Sequence, residues 1–160
     1  MRASRDALRA IAEADLVVLG PGSLYTSLLA TILVPELRAA LATTPAFRVY
    51  VANVATQSGE TEGYDLADHV EALAAHGIGD SLDVVLANSH LAAGSDAEQG
   101  VPVKLRWPPM GASRRPRLVL DDVVDPGNPH HHDPDRLATA LLRLFGREAG
   151  SRRGGIARTA

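Results

Sequence analysis

The sequence predicts a three-layer α/β fold with a mostly parallel sheet. Short apolar runs of strand length alternate with helical patterns through the first half of the chain, which is typical of βαβ units. Two of these runs, Leu16–Leu19 and 47–54, break at their ends into Gly, Pro and small hydroxyl residues before a helical pattern resumes. Open parallel sheets place ligands beside the carboxyl ends of their strands, so these two loops indicate a site as well as a fold.

Size and composition fit one globular domain. The chain has 160 residues, of which 46% are hydrophobic but only 4% aromatic, so the core is expected to be aliphatic. The absence of cysteine excludes disulfides, thiolate zinc sites and a cysteine nucleophile. A formal net charge of −3 gives no reason to expect a nucleic-acid partner. We expect a cytoplasmic protein without a membrane partner, because neither a membrane-length apolar run nor a signal-type apolar region is visible.

The elements of the first half follow in order. An amphipathic helix is expected at 3–13, and then the Val-rich run Leu16–Leu19, whose shortness favours a strand buried on both faces. A helical stretch follows to about residue 34, and Pro35 is suited to the first position of a further short helix. The next strand is predicted at 47–54 from its β-branched and aromatic residues.

The remaining elements are a clear helix, further short strands and a last helix. The helix spans 65–76, with Asp65 as N-cap and Gly77 as its stop. We expect strands at 82–87, 101–105 and 118–120, and a final helix at 134–145. The domain is thus assigned to 1–145, and the Gly- and Arg-rich residues 146–160 are expected to form a disordered basic tail.

The first loop, Gly20-Pro-Gly-Ser23, has the residue types of a phosphate-binding turn. Glycine permits a tight turn and a close approach to a ligand, and Ser23 is able to cap the next helix, whose free N–H groups attract anions. A plain capped turn explains the same residues. On pattern alone, Tyr25 is expected to pack in the core and the hydroxyls of Thr26 and Ser27 to bond back to the helix.

The second loop, 56–63, is polar and lies at the end of a predicted strand. It offers paired donors and acceptors of the kind that bind a sugar or a base edge, although an exposed, solvated loop has the same composition. The polar residues in and beside it are Asn53, Thr56, Gln57, Glu60, Thr61 and Glu62.

His130-His-His-Asp133 contains metal-ligand residue types but is not expected to form a metal site. Adjacent residues in one turn seldom converge on one ion, and no second cluster of ligands is evident. Asp133-Pro134 is better explained as the cap and first position of the last helix.

Three segments resemble the YvcK family, also called putative gluconeogenesis factors, within the wider group of the CofD 2-phospho-L-lactate transferases. The first is Ala14-Asp-Leu-Val-Val-Leu-Gly-Pro-Gly-Ser-Leu-Tyr-Thr-Ser27. The second is Tyr50-Val-Ala-Asn-Val-Ala-Thr-Gln-Ser-Gly-Glu-Thr-Glu-Gly-Tyr64, followed by Asp68-His69. The third is His132-Asp-Pro134, followed by Leu137-Ala138.

The resemblance implies a Rossmann-like fold and a UDP-sugar ligand for a regulator of carbon-source-dependent growth and cell shape. It implies no settled reaction and no cofactor or metal for this branch. The alternative is a CofD-like 2-phospho-L-lactate transferase of deazaflavin coenzyme synthesis, which uses magnesium. The first loop here lacks the Asn-Pro step of that branch. The residues assigned to ligand binding are Gly20, Pro21, Gly22, Ser23, Tyr25, Thr26, Ser27, Asn53, Thr56, Gln57, Gly59, Glu60, Thr61, Gly63, Tyr64, Asn88, His131, His132 and Asp133.

The sequence also departs from the family pattern. It matches only the family's carboxyl half, without the opening Gly-Gly-Gly-Thr-Gly loop, and His131 stands where members commonly have Arg. A parallel sheet without its first strands has an unpaired edge, so we expect self-association or a partner that supplies the amino-terminal half.

Overall fold

The computed structural model describes residues 2–90, 100–107 and 116–156. Four parallel strands form its central sheet in the order β1-β2-β3-β4. Their bounds are β1 Leu16–Leu19, β2 Phe47–Val51, β3 Val84–Asn88 and β4 Arg117–Asp121. All five residues of both β2 and β3 are buried, as expected for the inner strands of a parallel sheet. The predicted α/β class with a parallel sheet is therefore confirmed.

Helices cover both faces of this sheet. On one face lie α1 Arg5–Glu13, a π-type helix Leu24–Leu29 that continues into α2 Ala30–Ile32, α3 Pro35–Thr43 and α4 Leu66–Ala75. A short 3₁₀ turn, Gly79–Ser81, leads into β3. The other face is covered by α5 Pro134–Ile156, which follows a two-stranded hairpin of β5 Val124–Asp125 and β6 Asn128–His132.

Two aliphatic cores hold the layers together. Between α4 and the sheet, Val70 and Leu73 pack with Val85 and are fully buried. On the opposite face, Val49 packs towards Leu144 of α5. The structure confirms Asp65 as the N-cap of α4 and adds a reciprocal bond that makes a capping box: Asp65 accepts from the Asp68 N–H at 3.1 Å, and Asp68 accepts from the Asp65 N–H at 2.8 Å. These cores fix the ends of β1 and β2, from which both loops extend.

The strand β1 corrects the expectation of burial on both faces. Among the described residues it pairs only with β2, and the Val18 side chain is 38% exposed. The sequence of β1 is as apolar as that of an inner strand, but apolar content does not show how many neighbours a strand has. Within the residues that the structure describes, β1 thus leaves the sheet with the unpaired edge that its sequence predicts.

Residues 101–105 do not form the predicted strand. This segment makes an isolated antiparallel bridge between Ala55 and Pro102, and it lies against the second loop instead of joining the sheet. Pro102 has no N–H group, which prevents a regular ladder at that position.

The last helix continues past the predicted boundary at residue 145. It extends to Ile156, through most of the segment expected to be a disordered tail, while 157–160 lie outside the described residues. Glycine lowers helix propensity by about 1 kcal/mol relative to alanine but does not forbid the helix, so an established helix passes through such residues.

No single helix in the described parts of the chain is long and apolar enough to cross a membrane. The bent pair Leu24–Ile32 and Pro35–Thr43 meets the criteria of length and composition only when its two helices are taken together.

Candidate functional site

The first loop turns sharply at Gly20, which connects β1 to the π-type helix. Gly20 has a φ of +78°, and a Cβ atom there would lie 2.9 Å from the carbonyl oxygen of Val51. The peptide bond between Gly20 and Pro21 is cis. Glycine at this position therefore allows the first loop to lie directly against the end of β2.

Ser23 and Glu60 together cap the π-type helix. The Ser23 Oγ accepts from the Thr26 N–H at 3.1 Å, and its hydroxyl donates to Glu60 Oε1 at 2.5 Å. The Thr26 N–H also donates to Glu60 Oε1, at 3.0 Å. The Glu60 carboxylate, from the second loop, thus lies at the start of the helix that follows the first loop. A negative charge is favourable there, because a helix N-terminus carries a partial positive charge.

These hydrogen bonds keep Glu60 ionised. Burial alone would raise the pKa of Glu60, but the bonds from Ser23 and from the N–H and hydroxyl of Thr26 hold that pKa below its usual value. The second carboxylate oxygen, Oε2, is shielded from solvent and has no hydrogen-bond partner among the described residues.

Further contacts join the two loops. The hydroxyls of Tyr25 and Tyr64 lie 2.7 Å apart, and their rings meet edge to face. The hydrogen bond to Tyr64, together with burial, raises the pKa of Tyr25 to about 12. The Gly22 N–H donates to Asn53 Oδ1 at 3.3 Å. The loops are consequently held to each other by hydroxyl, carboxylate and amide contacts.

The second loop is also closed by its own hydrogen bonds. Asn53 Nδ2 donates to Gln57 Oε1 at 3.3 Å, and the Gln57 N–H donates to the hydroxyl of Thr61 at 2.9 Å. Thr61 is completely buried, and it stabilises the loop from the inside. Glu62, on the exposed side, accepts from Ser58 at 3.1 Å.

The segment 100–107 holds the second loop from the side. The Thr56 N–H donates to the carbonyl of Val101 at 2.8 Å, and the Val101 N–H donates to the Thr56 hydroxyl at 3.0 Å. Arg106 forms ion pairs with Asp65 and Asp68 at the start of α4. This segment therefore links the loop to the helix that follows it.

The histidines of β6 lie beside the two loops, at the same end of the sheet. Nε2 of His132 donates to the carbonyl of Ala52 at 3.2 Å, which joins the hairpin to the end of β2. Burial, and to a smaller degree the neighbouring His131, lower the pKa of His132. Asp133 caps α5, since its Oδ1 accepts from the N–H groups of Asp135 and Arg136, each at 2.9 Å.

Two adjoining cavities lie at this end of the sheet. The first, which we call the histidine cavity, has a volume of about 460 Å³. It is lined by Pro21, Gly22, Asn53, Val54, Ala55, Thr56, Gln57, His130, His131 and His132. The second, the glutamate cavity, has a volume of about 430 Å³. It is lined by Ser23, Tyr25, Thr26, Gln57, Ser58, Gly59 and Glu60.

The structure brings together many, but not all, of the residues assigned from the sequence. Those outside both cavities are Gly20, Ser27, Thr61, Gly63, Tyr64, Asn88 and Asp133. Several of them shape the loops instead, as Thr61 and Tyr64 do, and Asn88 accepts from the Val123 N–H at 3.0 Å.

The residues assigned from the sequence did not include four lining residues, Val54, Ala55, Ser58 and His130. A sequence signal for His130 exists: the Pro126-Gly127 step is typical of a turn and predicts a hairpin, whose second strand contains His130. Its Nδ1 is shielded from solvent and has no partner in the described structure. Within residues 2–90, 100–107 and 116–156, no group of three or more His, Asp or Glu side chains is arranged to hold a metal ion.

Comparison with known proteins places this chain in a family. The family model described as 2-phospho-L-lactate transferase CofD matches residues 1–107. The chain belongs to the CofD family. Its curated relatives carry the name "Putative gluconeogenesis factor", which is that of the YvcK branch.

Two such relatives and one solved structure illustrate the extent of the match. A protein from Nostoc sp. is 39% identical over 148 residues, covering 88% of this chain and 32% of the relative. One from Mycobacterium tuberculosis is 37% identical over 158 residues, covering 98% of this chain and 44% of the relative. The crystal structure of a UPF0052 family member from Bacillus halodurans superposes with a TM-score of 0.76 at 32% identity, covering 88% of this chain and 46% of that one. The chain therefore spans less than half the length of these relatives.

Proposed function

We propose that this chain contributes a UDP-sugar-binding crevice to a non-enzymatic, cytoplasmic regulator of carbon-source-dependent growth and cell shape. One observation carries the proposal: two adjoining cavities, lined by amides, hydroxyls and imidazoles, lie where β1 and β2 end. Each has a volume in the usual range for small-molecule sites, about 300–1,000 Å³. The position is the one that open parallel sheets use for ligands.

The contacts between the loops support a binding role. Asn53 is held by both Gly22 and Gln57, and Gln57 lines both cavities. Polar groups that are already held in place bind a ligand at a lower cost in side-chain entropy, because they need not be ordered when it binds. Since β1 has a free edge among the described residues, we also propose that a partner fragment or a second copy packs beside it.

Calorimetry with UDP-glucose tests the proposal. We expect saturable binding, and a loss of about tenfold in affinity for Gln57→Ala, since one or two hydrogen bonds to a ligand are worth about 1–2 kcal/mol. Thr139→Ala, an exposed substitution on α5 outside both cavities, is the matched control. No heat and no thermal shift at millimolar UDP-glucose would refute binding by this chain.

The second candidate is 2-phospho-L-lactate transferase activity, the activity that the description of the family model prints, and in this proposal it uses magnesium. The match over residues 1–107 is the observation that favours it. Incubation with the activated phospholactyl donor, a deazaflavin acceptor and magnesium tests it directly. Formation of the transferred product would establish the enzymatic alternative, and we expect none.

A further inference from the structure

We infer that the proposed ligand binds with its phosphates in the histidine cavity and its sugar hydroxyls in the glutamate cavity. The negative charge of Glu60 in the glutamate cavity selects against acidic sugars. This inference rests on the proposed function, and it assigns an orientation to the ligand and a specificity-determining role to one residue.

The glutamate cavity is suited to hydroxyl groups. Glu60 is its one carboxylate among the described lining residues, and the others offer hydroxyl, amide and backbone groups. Oε1 of Glu60 already accepts from Ser23 and Thr26, whereas Oε2 has no donor in the described structure. Since Oε2 is also shielded from solvent, a ligand meets the charge of Glu60 and not this oxygen, while the sugar hydroxyls pair with the hydroxyl, amide and backbone groups of the lining. A phosphate or carboxylate has no proton to donate at neutral pH and is repelled by the charge of Glu60.

The histidine cavity has the opposite character. Its described lining contains no Asp or Glu, and its ionisable groups are the imidazoles of His130, His131 and His132. Imidazole N–H groups are donors in both protonation states and become cationic in one, so they suit phosphate oxygens. Of the three, His131 is exposed and thus accessible to a ligand.

One ligand is able to occupy both cavities. Gln57 lines each of them, and the consecutive residues Gly22 and Ser23 line one cavity each. The two cavities are therefore directly adjacent. The charges of their linings favour one orientation of a molecule that has an anionic part and a neutral part.

A comparison of sugars that differ in charge tests the inference. UDP-glucuronate differs from UDP-glucose by a carboxylate on the sugar, while the nucleotide is the same. We expect the unmodified chain to bind UDP-glucose about tenfold more tightly than UDP-glucuronate, and Glu60→Gln to reduce this ratio about fivefold or more. Glutamine retains an oxygen that accepts from Thr26. The melting temperature of the variant verifies that it folds.

Glu71→Gln is the matched control, because it removes the same charge at an exposed residue of α4 that lines neither cavity. It should leave the ratio unchanged. The inference is overturned if Glu60→Gln and the unmodified chain discriminate equally, or if the acidic sugar is preferred, while UDP-glucose still binds. If UDP-glucose, UDP-glucuronate and UDP all fail to bind, the proposed function itself fails, and the inference with it.

Discussion

The substitution Gly20→Ala tests whether the first loop depends on one glycine. Gly20 has a φ of +78°, a conformation that costs an L-residue about 1–2 kcal/mol. Its new Cβ would also lie 2.9 Å from the Val51 carbonyl oxygen, a backbone atom inside the sheet that cannot rotate away. Such overpacking typically costs about 1–3 kcal/mol. We therefore expect a loss of about 2–5 kcal/mol in the free energy of unfolding.

The matched control is Gly22→Ala, two residues further on. A Cβ at Gly22 meets nothing within 4 Å, and its φ lies outside the left-handed region. We expect Gly22→Ala to change stability by less than about 1 kcal/mol. In a domain of this size each kcal/mol shifts the melting temperature by about 2–4 °C, so Gly20→Ala should melt about 4–20 °C lower. Thermal unfolding followed by circular dichroism measures both variants, and equal melting temperatures would refute the reasoning.

Two further predictions concern pH and association. Burial lowers the pKa of His69, so this imidazole stays neutral in the folded chain at a pH at which it takes up a proton in the unfolded chain, near pH 6.5. The free energy of unfolding should therefore fall as the pH drops from 7 to 5.5. Urea titrations should show a smaller fall for His69→Gln, and an equal or steeper fall would contradict this reasoning. The free edge of β1, with Val18 exposed, should promote self-association that Val18→Lys weakens. Light scattering across a concentration series measures this, and a monomer at every concentration in the unmodified chain would count against it.

Much of the fold follows from local sequence. The Val-rich runs around residues 16–19 and 84–88 form strands because they are short, apolar and bounded by polar residues. The cap at Asp65 and the stop at Gly77 define α4 almost to the residue, since capping depends on neighbours three or four positions away. Features of this kind are predictable because their causes are near in the chain.

The rest depends on contacts between distant residues. Glu60 helps to cap a helix whose N-cap, Ser23, lies 37 positions earlier, and nothing in either segment alone shows that pairing. Arg48 occupies a buried strand position because Asp83 meets its guanidinium at 3.0 Å, although a strand pattern would place an arginine outside. The division of the crevice into two cavities likewise arises only when both loops and the hairpin are assembled.

The contacts between the two loops have a consequence for the rate of ligand binding. Tyr25 with Tyr64, Ser23 with Glu60, and Gly22 with Asn53 connect residues that would otherwise move independently. The entropy of ordering these groups is thus lost when the chain folds, and not when a ligand arrives. A site prepared in this way is expected to associate in a single kinetic phase, without a slow rearrangement of its loops.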